Sequence, residues 1–299
     1  MRQTKNVKLI TRLWRGRTNS PLHLRLYYRF GLHHLERKRR ERRRVLLRVF
    51  GMSGYLRLVY ARLLRHTHCK IGAKGFERSF FIRPGDSDAD VIVQVYDQNE
   101  VYPPIKPKVN AILDAGANIG ITARYLLDAF PGARLVAIEP DGENCELFRK
   151  NVTDSQVVLL RAGLWDCNEP LQISNPSSRS WTYQMKVADS EGRDDVVEGI
   201  TLEAALHAGN MDHFDVIKID IEGAEERIFV DEWRHIFAQA SLIFVESHGA
   251  EIAEGIEKYL QSLGFLITEQ GDMTVGYRNP SEFQPSVQDV CCEREIKAL

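Results

Sequence analysis

From Gly75 onward, short apolar runs alternate with stretches whose apolar residues recur every three or four positions, the two periods of strands and helices. AILDAG (111–116) reads as a strand and NIGITARYLLDAF (118–130) as a helix stopped by Pro131-Gly132. ARLVAIEP and ENCELFRKNV repeat the pair. QVVLLRAGLW reads as one strand, and EPLQIS with WTYQMKV as a hairpin around the polar loop NPSSRS. TLEAALHAG is a helix, DVIKIDIEG a strand, AEERIFVDEWRHIF a helix and SLIFVES a strand. EIAEGIEKYLQSLG is a helix ending at Gly264, and FLITEQ with TVGYR closes the series as a strand pair. Ahead of this series, SFFIRPG and DVIVQVY read as two strands around a Pro-Gly turn. The alternation predicts a mostly parallel sheet covered by helices on both faces, and the unbroken apolar runs around IKI and LIFV are strands of a doubly covered sheet.

Residues 1–75 follow another pattern. Basic clusters alternate with short apolar patches, and Arg37 to Arg44 reads RKRRERRR. In VLLRVFGMSGYLRLVYARLLR, Gly51 and Gly54 interrupt the apolar period, and Arg48 and Arg57 fall on opposite sides of a helical wheel, so it is not a clean amphipathic helix. Three domains of sequence result: a basic N-terminal extension (1–75), an α/β domain (76–280) and a loosely patterned tail (281–299).

Charge sharpens this division. The formal net charge of -1 conceals 21 Lys/Arg against 2 Asp/Glu in residues 1–74, and 19 against 39 in residues 75–299. A basic arm is joined to an acidic domain. Two uses of the arm stand side by side: helices packed on the main domain or on a second subunit of a homo-oligomer, or a surface for anionic membrane lipid or nucleic acid. No run reaches the ~18 apolar residues of a membrane span. The start, MRQTKNVKLITRLWRGRTNS, lacks the apolar centre of a secretory signal. The 5 Cys form no C-x-x-C pair, which argues against a disulfide framework and fits a reducing cytoplasm, with a place peripheral to a membrane open through the arm. His66-Thr67-His68-Cys69 lacks a second ligand cluster that would make it a metal site.

In an open parallel sheet, ligands bind beyond the carboxyl ends of the strands. The residues expected there are Asp114, Glu139, Gly163 with Trp165, Asp220 with Glu222, and Glu246 with His248. The first turn reads D-x-G-x-N-x-G rather than the dinucleotide G-x-G-x-x-G. Gly116, Asn118 and Gly120 leave room for a close ligand. Asp114 would repel a pyrophosphate but suit a sulfonium or ammonium. Glu139 has the spacing of the acid that takes ribose hydroxyls. A cationic adenosine ligand without phosphate, S-adenosylmethionine, satisfies both.

DAGANIG, AIEPDGENCELFRKNV, DVIKIDIEGAEERIF and FVESH, in this order, together resemble the FkbM-type S-adenosylmethionine-dependent methyltransferases, as does the lead-in RPGDSDADVIVQVYDQNEVY. The resemblance runs from about Phe80 to Tyr277 and leaves out the basic arm. It implies a class I methyltransferase fold, Rossmann-like, with a seven-stranded sheet and one reversed strand. It implies transfer to a hydroxyl of a saccharide, glycolipid or secondary-metabolite acceptor. Carried over, Asp114, Gly116, Asn118 and Gly120 would hold the methionine end of the cofactor and Glu139 the ribose. Asp141 and Asn144 would support the loop, and Ala162, Gly163 and Trp165 would flank the adenine.

A hydroxyl acceptor needs a base, and His248 is the expected one by its ordinary pKa, with Asp220, Glu222 and Glu246 orienting it or gripping the acceptor. The same four side chains could instead hold a divalent metal that acidifies the hydroxyl. Arg179, Trp181 and Tyr183, in the NPSSRSWTYQ loop, would sit over the same edge and meet a sugar ring. Two other functions use the same chain: a nucleic-acid methyltransferase whose arm grips phosphates, and a scaffold that binds no cofactor. The acidity of residues 75–299 and the missing N-P-P-Y/F motif argue against the first, and the intact acid-and-glycine turn against the second.

Overall fold

The computed structural model describes residues 21–73, 79–174, 185–188 and 196–278. The expected loop 175–184, the tail from 281 and the first twenty residues of the arm lie outside them. The chain divides into two compact units, residues 1–48 and 49–299.

In chain order the elements are α1 (Pro21–Leu63), β1 (Cys69–Gly72), β2 (Ser79–Ile82), α2 (Asp88–Tyr96), β3 (Ala111–Ala115), α3 (Ile121–Ala129), β4 (Arg134–Ile138), α4 (Gly142–Asn151), β5 (Val157–Leu160) and β6 (Ala162–Leu164). Then come β7 (Pro170–Ile173), β8 (Met185–Val187), β9 (Val196–Ile200), α5 (Leu202–Gly209), β10 (Val216–Ile219), α6 (Glu225–Ile228), α7 (Arg234–Phe237), β11 (Leu242–Glu246), α8 (Ala250–Ser262), β12 (Leu266–Gln270) and β13 (Met273–Tyr277).

The main sheet has seven strands in the order β12-β13-β11-β10-β3-β4-β5. β3, β4, β5, β10 and β11 run parallel, while β13 runs antiparallel to β11 and to β12. One reversed strand in a parallel series is the class I methyltransferase arrangement implied by the sequence resemblance. Every residue of β3 and β10 is buried, as their apolar runs predict. Leu113, Ile217 and Ile243 from three neighbouring strands pack with Leu202 of α5, Ile236 of α7 and Leu260 of α8 in one continuous core.

Three readings of the sequence change. DVIVQVY is helical, within α2, not a strand: Ser87 leads into it, Asp88 and Asp90 occupy its first turn, and Ala89, Ile92 and Val93 are buried at helical spacing. Its β-branched content is overridden by that burial and by Asp88, which accepts bonds from the backbone N–H and guanidinium of Arg83 at 2.7–3.1 Å. AEERIFVDEWRHIF is not one helix. Val230 is extended, its carbonyl accepting from the Tyr259 hydroxyl at 2.9 Å, and Phe229 and Phe237 stack beside that ring. QVVLLRAGLW splits at Arg161: β5 stays in the main sheet, while β6 joins a second sheet of order β6-β9-β7-β8. Within that sheet β7 and β8 form the expected hairpin pair.

Candidate active site

A cavity of about 320 Å³ opens over the carboxyl ends of the parallel strands. Its wall includes Gly116, Ala117, Asn118, Glu139, Pro140, Ala162, Gly163, Lys218, Asp220, Glu222, Glu246 and His248. Glu100, Asp272 and Met273 close another side. The topology explains the convergence, since β3, β4, β10 and β11 are adjacent and parallel and so end at one edge.

The β3 turn is shaped by protein contacts as much as by space for a ligand. Gly116 has φ 76°, and a Cβ there would lie 1.8 Å from the Asp220 carbonyl oxygen. Gly120 has φ 83°, and its Cβ would lie 2.7 Å from Val152 Cγ2 and 2.8 Å from Phe148 Cδ2. Gly120 thus lets α3 pack on the end of α4 and does not line the cavity. Asn118, also left-handed at φ 49°, does line it. Its Oδ1 is buried without a hydrogen-bond partner among the described residues.

Glu139, at the end of β4, is buried and well supplied with donors. It accepts from the Asn118 backbone N–H at 2.7 Å, the Asp141 N–H at 2.9 Å and Asn144 Nδ2 at 3.0 Å. Burial pushes its carboxyl up to about 7 against these three donors. Asp141 caps α4 by accepting from the Asn144 N–H at 2.7 Å.

Asp114 is not brought to the cavity. It is fully buried on β3, with Lys218 Nζ 3.4 Å away. Lys218 donates to the Gly116 carbonyl at 2.8 Å and lies 3.4 Å from Asp220 Oδ2. Burial opposes its charge, but the Asp220, Asp114 and Glu246 carboxylates hold its pKa above that of an ordinary lysine. Lys218 is therefore a fixed cation tying the β3 turn to the end of β10. Sequence reading passed over it; the signal was a charged residue between Ile217 and Ile219 in a strand buried on both faces.

His248 is not a free base. Its Nδ1 lies 2.7 Å from Glu225 Oε1 and its Nε2 3.1 Å from Glu222 Oε2, with Glu246 at 3.8 Å. The bonds to Glu222 and Glu225 push its pKa up to about 11, so at neutral pH it is an imidazolium with both nitrogens donating. Glu225 is fully buried and also accepts from the Gly223 N–H at 3.1 Å. It lies in the first turn of α6, beyond the strand ends from which the sequence candidates were drawn. The clamp depends on a tight turn after β10, where Glu222 takes φ 55° and Gly223 φ 94°. A left-handed non-glycine residue is a strained position that recurs at functional sites.

The group placed to accept a proton is Glu246. Burial and the neighbouring Asp220 carboxylate push it up to about 8, opposed by the His248 charge. Donor atoms of Asp220, Glu246 and His248 come within 4.8 Å of one another, as around a divalent ion. Glu222 and Glu225 engage both nitrogens of the ring, so an ion bound here would have to displace one of these bonds and its proton.

Trp165 is not brought to the cavity either. It is buried beside Leu171, Val197 and Ala224, its indole donates to Glu169 at 2.6 Å, and the Arg227 guanidinium lies 4.5 Å from its ring. Ala162, Gly163 and Leu164 line the cavity instead.

The seven-stranded sheet with its one reversed strand and the cavity at its carboxyl edge are those of a class I methyltransferase domain. The chain belongs to the Methyltransferase FkbM domain family, which matches residues 114–267. Among solved structures, the methyltransferase FkbM from Methylobacillus flagellatus KT is 16% identical, with 57% of this chain and 44% of that chain covered and a TM-score of 0.42. This chain thus spans less than half the length of that protein. A methyltransferase from Pyrococcus furiosus is 14% identical over 74% and 94% of the two chains, TM-score 0.37. Aeropyrum pernix fibrillarin, solved with natively bound S-adenosyl-L-methionine, is 12% identical over 62% and 73%, TM-score 0.35. No curated protein matches.

Proposed function

We propose that this protein is an S-adenosylmethionine-dependent O-methyltransferase acting on a hydroxyl of a saccharide, glycolipid or secondary-metabolite acceptor. The observation that carries the reading is Glu246, a carboxylate with a raised pKa at the cavity wall beside Asp220 and opposite the fixed His248 charge. A base with a pKa near working pH is the group a poorly acidic hydroxyl needs, and such a base contributes about 10²–10⁴-fold.

The wall fits the cofactor. Asn118 Oδ1 is a buried acceptor awaiting a donor, the form an ammonium would satisfy. Glu139 has accepted three bonds and keeps one acceptor position for a ribose hydroxyl. Ala162 and Gly163 leave room for the adenine, beside the apolar Leu164. When bound, S-adenosylmethionine supplies a methyl group on an already activated leaving group. Asp114 acts at one remove, by anchoring Lys218, which fixes the Gly116 turn and Asp220. Glu246 takes the proton of the acceptor hydroxyl. Glu222 and Glu225 hold His248 charged, and that charge stabilises the carboxylate form of Glu246. Asp220 and Glu222 are left to grip further hydroxyls.

Six carboxylates line the cavity (Glu100, Glu139, Asp220, Glu222, Glu246 and Asp272) against the two cations Lys218 and His248. Such a wall disfavours acceptors that carry phosphate or carboxylate, and it weighs against a nucleic-acid substrate. The test is transfer of labelled methyl from S-adenosylmethionine to a panel of neutral, amino and phosphorylated sugars and polyols. Methylation of neutral or amino acceptors, with kcat/KM rising as pH passes about 8 and about 10²-fold lower in Glu246→Gln, is the expected result. Methylation confined to phosphorylated acceptors or RNA, or a Glu246→Gln variant with full activity, would refute it.

A further inference from the structure

The part of α1 within the larger unit carries two apolar faces. One is inside: Leu58 and Ala61 are buried, and a Cβ on Gly54 would lie 3.4 Å from the Gly72 carbonyl of β1. The other is open. Met52 is 62% exposed, Leu56 55%, Val59 42%, Tyr60 61% and Leu63 79%. At helical rotation these five side chains fall in a sector about 100° wide, opposite the buried face. Leu64, just beyond the helix, extends the stripe. Arg57 on the same helix turn and Arg65 and Lys70 just after it in sequence are exposed. The sequence wheel missed this pattern because it ran through Gly51, which is non-helical at φ 65° and ψ 179°, so Arg48 and Arg57 do not share one helix.

We propose that this stripe is a docking surface for an anionic lipid bilayer, with the helix lying in the interface. Apolar side chains on an exposed helix face with basic neighbours are the features of interfacial helices, whose affinity combines buried apolar area with attraction to acidic headgroups. The segment just before it, RKRRERRR at 37–44, adds to the charge that such a membrane attracts. No helix among the described residues is long and apolar enough to cross a membrane, so the helix rests on the surface. Charge selects lipid over the alternatives. A second copy seated on the stripe would bring two sets of the exposed Arg57 and Arg65 together, and nucleic acid would leave five apolar side chains without a partner. The acidity of the cavity points the same way: an acidic domain reaches an anionic surface only through a basic side.

The test is flotation of the full chain with vesicles of phosphatidylcholine alone and of equal parts phosphatidylcholine and phosphatidylserine. Binding to the mixed vesicles only is expected, weakened at least about tenfold in Leu56→Glu/Leu63→Glu with an unchanged melting temperature. Met52→Gln/Val59→Gln provides a second pair should the first fail to fold. No binding to mixed vesicles would overturn the proposal. So would unchanged binding of a folded double variant, which would leave charge alone as the attractor. Loss of a dimer in the variant, with no vesicle binding by the wild-type chain, would assign the stripe to a second copy instead.

Discussion

At the scale of single residues, the environment reverses what residue type suggests. Histidine has the intrinsic pKa of a base near neutrality, so His248 drew that role from the sequence. Two carboxylates on its two nitrogens remove it. A glutamate is ordinarily too weak a base, yet burial beside Asp220 makes Glu246 the better one. This has a direct consequence in solution. The His248 ring is expected to remain an imidazolium at pH 8, with nitrogen chemical shifts of the charged form, and Glu225→Gln is expected to lower its pKa. The sign follows from the clamp: the raised pKa means the His248 contribution to stability is complete below about 6.5, its ordinary value, and fades as pH rises through about 11. A ring titrating near pH 6.5 in the folded protein would contradict the clamp. Sequence named three members of this cluster and missed Glu225 because the fourth is defined only by a buried contact across 23 positions.

At the scale of elements, most of the site was legible because it lies on periodic strands. The acids at the ends of β4, β10 and β11 follow from counting strand ends in a parallel sheet, whereas Asp114 on β3 is buried against Lys218 instead. What escaped was anything set by packing between elements. Trp165 follows β6, but the second sheet turns it into a small core of its own. Glu100 reaches the cavity from the loop after α2, and its Oε1 accepts from the Asp272 N–H at 3.3 Å, a contact no local pattern carries. The glycines of the β3 turn also acquire a different reason: they allow strand ends and helices to meet. Gly116→Ala is therefore expected to destabilise the protein by roughly 2–4 kcal/mol, since its Cβ would collide with the backbone of Asp220 at a left-handed φ. A chemical-denaturation midpoint equal to that of the wild-type chain would contradict that close approach.

At the scale of the whole molecule, the sequence divides into a basic arm and an acidic domain, and the two proposals give each sign a use. Acid lines the cavity, where a cationic cofactor and an uncharged acceptor are proposed to bind. An exposed apolar stripe lies in the basic part of the chain, and acidic lipid is its proposed partner. The family match, residues 114–267, takes in most of the cavity wall and none of the stripe. The apolar stripe was illegible in sequence because exposure, not composition, distinguishes an open helix face from a packed one.

The central claim is that the cavity takes S-adenosylmethionine through the β3 turn and Glu139. Calorimetric titration of the purified chain with S-adenosylmethionine, beside Glu139→Ala and with melting curves for both, tests it most directly. Micromolar binding lost in a folded variant is the predicted result. Affinity should also weaken by up to about tenfold per unit as pH falls below about 7, since a ribose hydroxyl donates to the carboxylate and not to the protonated acid. No binding by the wild-type chain, or equal binding by a folded Glu139→Ala, would contradict it.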